Sequence, residues 1–343
     1  MQGAHERHGF DDGLAETVAS LDGFPVHREA RRRLALALED DPISLDDLTA
    51  AIAADVGLAL ATVRVACRAP RDGDRPPAGV RAAVEELGPD GIERAAGGTA
   101  AFGPFDPHPP WGDVPERLRL HGVAAGRAAE RLVRVTRPVD PDLVVTAALV
   151  HDVGKLALAC AHDDYAQRVE ADATPEERLA REREEFGADH ARVGAALLRG
   201  WRLPEPLAAA IEHHHEPVNG NEAAALVRLA DMLAHYEAGA PVDIDRMLAL
   251  AEALGLGRAS MGRLLYELPY PVRNADAPEP CPLSARELDA VRGLADGKGQ
   301  PRIASEEGVS ERALSKLLRA AYQKLGVAGR GEAVVASRER GWI

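Results

Sequence analysis

A chain of 343 residues with 46% hydrophobic and 28% charged content can build two or three globular units, which excludes a disordered or collagen-like protein. Aromatic residues make up only 4% while Ala, Leu, Arg and Glu abound, a balance that disfavours β-sandwiches and barrels and implies an all-α fold. The net charge of -14 hides a split: residues 283–343 carry eleven Lys and Arg against eight Asp and Glu, a net +3, while the remainder carries thirty against forty-seven, a net -17.

In chain order, residues 1–20 are polar, show no period and are expected to form a flexible tail. Ala30, Leu34, Ala37 and Leu38 recur at helical spacing over 28–39, and Leu45, Leu48 and Ile52 repeat the pattern over 44–54. A third helix begins near Leu58 and stops before Pro70; a fourth over 80–87 is closed by Gly88. Residues 102–115, with five prolines, form an irregular loop dividing this front half (21–101) from a helical series over 116–268. A proline-rich linker over 269–281 then separates the acidic body from a mildly basic C-terminal module, 282–343.

No uninterrupted apolar run approaches the ~18 residues of a membrane span and no signal-peptide core is visible, so a soluble, cytoplasmic protein without a membrane partner is expected. Cys67, Cys160 and Cys281 are scattered and form no CxxC pair, which fits a reducing compartment; the first two read as small core residues.

Histidines and aspartates concentrate in helical contexts: His121 in HGVAAG, His151-Asp152 in HDVGK, His190 in DHARVG, then His213-His214-His215 and Asp231. Imidazole and carboxylate form the mixed donor set that suits Mn, Fe or Zn. Adjacent residues on a helix point about 100° apart, so His151 and Asp152 face one ion only where the helix passes close to it. A carboxylate there can bridge two ions about 3.5 to 4 Å apart, the arrangement of a phosphohydrolase.

This order of residues resembles the HD superfamily of metal-dependent phosphohydrolases. Together with the N-terminal helical half, the Trp201-Arg-Leu-Pro204 element and the HHEP ending, the stretch over about 21–265 looks like an HDOD domain, an output module of bacterial signalling proteins. The resemblance implies metal ligands at His121, His151, Asp152, His190, His214, His215 and Asp231, with Lys155 placed to meet an anion. HDOD domains have no established hydrolase activity, so it implies a sensor module and no catalytic residue. After His215-Glu216 no GYP motif follows, which separates the chain from the cyclic-dinucleotide phosphodiesterases. His213 reads as a surface neighbour, and His5, His8, His27, His108, His162 and His235 as solvated or structural.

The C-terminal module opens with a capping box, Ser284 and Glu287. Leu288, Val291 and Leu294 make a buried stripe ended by Gly297, and Pro301 leads into a second short helix carrying Ile303 and Ala304. Gly308 makes the turn and Ser310 caps a third helix. That helix has Leu314, Leu317, Leu318 and Ala321 on one face and Arg312, Ser315, Lys316 and Arg319 on the other. This is the spacing of a helix-turn-helix whose exposed helix fits a major groove ~12 Å wide. The stretch LSARELDAVRGLADGKGQPRIASEEGVSERALSKLLRAAYQKLGV resembles the LuxR/NarL-type DNA-binding domain. That resemblance implies base contacts from Ser315, Lys316 and Arg319 and phosphate contacts from Arg312, Lys324 and Arg330. Ala313-Leu314-Ser315-Lys316-Leu317 stands where the family usually has Thr-Val-Lys-x-His. A homodimer is implied as well, with Val334, Val335 and Trp342 as apolar material.

The expected function is a DNA-binding transcriptional regulator in bacterial signalling. Its HDOD domain would sense a nucleotide or other signalling ligand, and its LuxR-type tail would bind double-stranded DNA. The alternative is a metal-dependent HD-type phosphohydrolase or nucleotide-binding signalling protein.

Overall fold

Apolar residues at three- and four-residue intervals, with Ser, Asp and Asn at the starts of helices, make the described residues mostly helical. The computed structural model describes residues 12–39, 42–69, 75–103, 113–169, 175–217, 220–268, 281–327, 329–340 and 342–343. Two units separate, Met1–Pro271 and Val272–Ile343.

In the first unit α1 (Asp12–Ser20) precedes β1 (Val26–His27), which pairs in parallel with β2 (Ala101–Phe102). Between them lie α2 (Arg28–Glu39), α3 (Leu45–Ala53), α4 (Val56–Arg68) and α5 (Val80–Gly97). Ser44 caps α3 through the Asp47 N–H. Asp55 caps α4 through Leu58 and also accepts the His27 N–H at 3.0 Å, tying strand to helix. Gly88, at φ 61°, breaks α5 before Pro89, where the sequence closes the helix.

The second half of this unit runs α6 (Val114–Thr136), α7 (Pro141–Val150), α8 (Gly154–Ala161), α9 (Tyr165–Val169), α10 (Pro175–Phe186), α11 (His190–Gly200), α12 (Glu205–Glu212), α13 (Glu222–Glu237), α14 (Ile244–Ala253) and α15 (Arg258–Glu267). Asp140, Asp189 and Asn221 cap α7, α11 and α13. α6 packs on α7 and α13, and α8 on α11. The span Pro141–Ala161 has the length and mean hydropathy of 1.7 of a membrane-crossing helix, but 89% of its most apolar 18-residue stretch is buried, as core.

The expected tail over 1–20 is corrected for 12–20, which form α1; residues 1–11 lie outside the described residues. Leu14 is fully buried and Val18 and Leu21 half-buried, so a short apolar stripe docks on α8 and α11. A nine-residue helix is marginal alone and gains its stability from such packing, which no short sequence window reveals. Residues 104–112 of the expected loop and 269–280 of the expected linker also lie outside the described residues.

The second unit contains α16 (Ala285–Ala295), α17 (Gln300–Glu306), α18 (Glu311–Leu325) and α19 (Arg330–Glu339) around a core that includes Val291, Leu294, Ile303, Leu314, Leu318 and Trp342. The capping box is present: Ser284 accepts from the Glu287 N–H and the Glu287 carboxylate accepts from the Ser284 N–H.

Candidate metal centre and nucleic-acid interface

Five elements bring the predicted ligands together. His121 is on α6, His151 and Asp152 follow the end of α7, and His190 opens α11. His214 and His215 follow α12, and Asp231 lies on α13. Two glycines beside these histidines permit the close approach. A Cβ on Gly122 would lie 2.3 Å from the Leu149 carbonyl oxygen, and one on Gly154 would lie 2.0 Å from that of His190. Any side chain at either place forces α6 off α7 or α8 off α11, and the ligands with them.

The donor atoms converge. Asp152 presents Oδ1 to His190 Nε2 at 3.1 Å and to His151 Nε2 at 3.6 Å. It presents Oδ2 to His121 Nε2 at 3.8 Å and to Lys155 Nζ at 2.5 Å. Asp231 Oδ1 meets His121 Nε2 at 2.9 Å and His151 Nε2 at 3.5 Å, and His190 Nε2 lies 3.1 Å from His215 Nε2. Among the described residues three groups have ligand atoms mutually within 4.8 Å: His190 with His214 and His215; His121 with His151 and Asp152; and His121 with Asp231 and His235.

The outer ring nitrogens are anchored. His151 Nδ1 donates to the Ala148 carbonyl at 2.8 Å and His214 Nδ1 to the Ile211 carbonyl at 2.6 Å, so in each ring Nε2 faces inward. His190 Nδ1 bonds the Glu182 carboxylate at 2.7 Å; Glu182 in turn accepts the Tyr165 hydroxyl at 2.7 Å and the His190 N–H at 2.8 Å. Anchoring of this kind fixes the tautomer and direction of metal-binding histidines.

Electrostatics follow from the burial. Desolvation alone would raise Asp152, but Lys155, His151 and His190 hold its carboxyl well below the usual range; His121 and His151 do the same for Asp231. Burial opposes protonation of His190, yet the charge of Glu182 and bonds to Asp152 and Glu182 raise it to about 9. His214 is driven down to about 3 by burial and by the neighbouring His151 and His190, and His215 falls by burial beside His214.

The residues fit a divalent metal. The buried Nε2 of His214 has no hydrogen-bond partner among the described residues, an expensive arrangement for a polar atom unless a cation takes its lone pair. His121, His151, Asp152, His190, His214, His215 and Asp231 would hold such an ion. Lys155, buried and bonded to Asp152, lines a cavity of about 170 Å³ together with Arg117, Arg178, His121, Asp152 and His235.

Sequence reasoning missed two residues here. Glu182 is one of several glutamates in PEERLAREREEF, and nothing in its spacing marks it as the fully buried partner of His190. His235, read as solvated or structural, has its Nε2 3.3 Å from Asp231 Oδ1 and its ring 4.5 Å from that of His121. The four-residue step from Asp231 was the available signal. His213 sits beside Glu216, His27 accepts the Glu29 N–H, and His162 stacks on Phe186 at 4.3 Å. His5, His8 and His108 lie outside the described residues. Cys67 and Cys160 are half-buried against the core.

In the second unit α17, a turn through Gly308 at φ 64° and α18 form the helix-turn-helix. Leu314, Leu318 and Ala321 are buried and Leu317 half-buried, which leaves Arg312, Ser315, Lys316 and Arg319 exposed on α18. Lys324 and Arg330, expected at phosphates, are engaged within the domain. Lys324 Nζ pairs with the buried Glu287 carboxylate at 2.7 Å, and Arg330 donates to the Leu294 carbonyl at 3.2 Å, at the end of α16. Trp342, expected as dimer material, turns into the core at 8% exposure, beneath the Arg340 guanidinium; Val334 is half-buried and Val335 exposed.

Comparisons with known proteins agree with both units. Residues 24–217 match the HDOD domain model, and residues 281–337 match the model for bacterial regulatory proteins of the luxR family. The MmoQ response regulator of Methylococcus capsulatus str. Bath shares the fold at 24% identity and a TM-score of 0.57, covering 71% of this chain and 98% of its own. A virulence factor of Campylobacter jejuni subsp. jejuni shares it at 17% identity and a TM-score of 0.56, covering 75% of this chain and 95% of its own. No curated protein matches the sequence. The chain belongs to the HDOD domain family and carries, after that domain, a luxR-family helix-turn-helix of the DNA-binding regulators.

Proposed function

We propose that this protein is a transcriptional regulator acting in the cytoplasm, in which the HDOD domain is the sensor and the luxR-type domain binds duplex DNA as a homodimer. The observation that carries the reading is the exposed face of α18, where Arg312, Lys316 and Arg319 stand without an ion-pair partner among the described residues beside Ser315. Lys316, Arg319 and Ser315 meet base edges in the major groove, and Arg312 meets phosphate. A chain with a net charge of -14 approaches DNA through this module, since its last 61 residues carry the positive excess.

The sensor holds a divalent ion, Mn, Fe or Zn, at the His/Asp centre, and Lys155 at the edge of the cavity draws an anionic signal such as a nucleotide. Bound there, a metal supplies Lewis acidity toward a phosphoryl oxygen. Asp152 orients His190 and Lys155, Glu182 and the Ala148 and Ile211 carbonyls aim the imidazoles, and the buried walls limit water. A signal shifts DNA binding only so far as it binds the DNA-competent state more tightly than the other.

The test is selection of bound fragments from genomic DNA with the full chain, followed by binding to the selected operator across a salt series. Steep weakening with salt is expected, and loss of specific binding in the Lys316→Ala, Arg319→Ala double variant. Unchanged binding in that variant would falsify the assignment. A second reading, a metal-dependent phosphohydrolase, draws on the complete ligand set beside an open cavity. Release of phosphate or nucleotide product by the wild type, abolished in Asp152→Asn, would establish it.

A further inference from the structure

We propose that a cavity between α4, α5 and the segment leading into β1 is a separate ligand site of the first unit, and that it takes a small organic phosphate. The site stands apart from the reading above: none of its lining residues belongs to the His/Asp cluster or to the cavity beside Lys155, and it needs neither metal nor DNA.

The cavity holds about 220 Å³. Leu60, Ala61, Arg64 and Arg68 line it from one face of α4, at three- and four-residue steps, and Arg94 and Ala95 line it from α5. Trp201 anchors the remaining wall. It opens the Trp201-Arg-Leu-Pro204 element, to which the His/Asp cluster gives no role. The ring is buried, and its Nε1 donates to the Leu21 carbonyl at 2.7 Å, which pins the segment ahead of β1. Gly57 lets that segment lie against α4, because a Cβ there would be 2.6 Å from the Pro25 carbonyl oxygen. Packing therefore sets the walls before any ligand arrives.

Charge decides what such a cavity takes. The guanidinium groups of Arg64, Arg68 and Arg94 line it against one carboxylate, that of Asp22, so three positive charges less one negative leave +2. This excess sits in a stretch, residues 1–282, whose net charge is -17. Arg68 and Arg94 are exposed and make no side-chain hydrogen bond or ion pair among the described residues; Arg68 acts on Asp22 only as a charge at a distance.

Arg64 lies over Trp201, 5.5 Å from the ring centroid, and donates to Asp22 Oδ1 at 2.7 Å and to the Asp22 carbonyl. The Asp22 side chain is 93% exposed, so this pair is weak and readily exchanged for another anion. Arg64 Nε has no partner among the described residues, so Asp22 leaves the guanidinium unsatisfied. An arginine fork bonds two oxygens of one phosphate, and two further guanidinium groups match the charge of a dianion. Leu60, Ala61 and Ala95 give the organic part an apolar wall. The volume is below the roughly 300 to 1,000 Å³ of drug-sized sites, which limits that part to about a sugar or a single base.

The experiment is calorimetric titration of the full chain with inorganic phosphate, ribose 5-phosphate and AMP, with adenosine as the uncharged control, and hydrogen exchange to locate the protected backbone. At least one ester is expected to bind at least tenfold more tightly than inorganic phosphate or adenosine, with protection over 57–68 and 94–99; the tighter ester identifies the organic part. The Arg68→Ala, Arg94→Ala double variant should bind that ester at least tenfold more weakly at an unchanged melting temperature, since both side chains are exposed. Ala61→Phe, which fills the cavity, should remove the preference for the ester over inorganic phosphate.

Wild-type affinity in the double arginine variant would overturn the inference, as would a preference for the ester that survives Ala61→Phe. Binding of none of the three phosphates, or of adenosine or inorganic phosphate as tightly as the esters, would do the same. Ester binding lost in Lys155→Ala but kept in the double variant would place the ligand at the other cavity and overturn this site while leaving the sensor reading intact.

Discussion

The His/Asp cluster and the exposed helix α18 are opposite solutions to placing charge. In the centre, Asp152, Asp231, His151, His190 and His214 are each at most 6% exposed, and almost every inward group meets another. On α18, Arg312, Lys316 and Arg319 stand in solvent. A buried charge costs several kcal/mol unless matched, so every member of the centre depends on its neighbours. An exposed charge costs little, so the face of α18 changes residue by residue without threatening the fold. Substitutions in the first region should therefore spread through metal binding and stability together, while those in the second should alter DNA binding alone.

The largest expected effect is at Asp152. Asp152→Asn removes the charge facing Lys155 and three histidines, so metal content should fall to background. Without a cation the fold should lose about 3 to 5 kcal/mol, the cost of leaving a buried charge without its partner. Denaturant unfolding and metal analysis check this. An unchanged midpoint would show that the centre tolerates unmatched charge as the surface does.

Glu182→Gln comes next. Loss of an outer partner of this kind lowers metal affinity about 10- to 100-fold. Its pH dependence is distinctive. With no cation bound, His190 is raised to about 9 from the ordinary imidazole value of 6.5, so its protonation stabilises the fold fully below 6.5 and that contribution disappears as pH rises through 9. Metal must displace the same proton, so wild-type affinity rises with pH up to about 9 and then levels. In Glu182→Gln, without the carboxylate charge, the rise should end at lower pH. Calorimetric titrations from pH 6 to 10 distinguish this from a uniform loss of affinity.

How much of this the sequence shows depends on how local each signal is. HDVGK, the His pair and Asp231 are chemical types in a recognisable order, and the helix-turn-helix follows from caps, a glycine turn and a three-to-four-residue apolar spacing, all within short windows. Glu182 acquires its role only when α10 folds back so that its side chain meets His190 and Tyr165, a tertiary event with no periodic trace. His235 was legible in principle, as the second member of an i,i+4 pair, but one unmotivated histidine on a helix resembles many structural ones. α1 escaped because its apolar stripe is too short to stand out from a polar segment.

On the exposed side, Lys316→Ala and Arg319→Ala should each cost about 1 to 3 kcal/mol in specific DNA binding and relax preference at one base pair, with thermal stability unchanged. Arg312→Ala should weaken all sequences alike and reduce the salt slope by about 1, the mark of a phosphate contact. Footprinting and salt-series titrations separate the two behaviours. Loss of stability in any of the three would mean that α18 is built more like the metal centre than its exposure implies.

Lys324 tests where the two kinds of region meet, because it is an exposed cation that serves a buried anion. Its ammonium lies 2.7 Å from Glu287 Oε2, with side chains 44% and 6% exposed. Burial raises the Glu287 carboxyl, and the bonds from Lys324 and Ser284 more than offset that, leaving it lowered. The stability this contributes is present above the unfolded value and lost as pH falls through the folded one. Half-solvated pairs are worth about 0.2 to 1 kcal/mol, so Lys324→Ala should lower stability by that amount near neutral pH and less in acid. The salt slope for DNA should not move, since the charge removed was already engaged. A slope reduced by about 1 would return Lys324 to the phosphate backbone and show that DNA competes successfully with Glu287 for it.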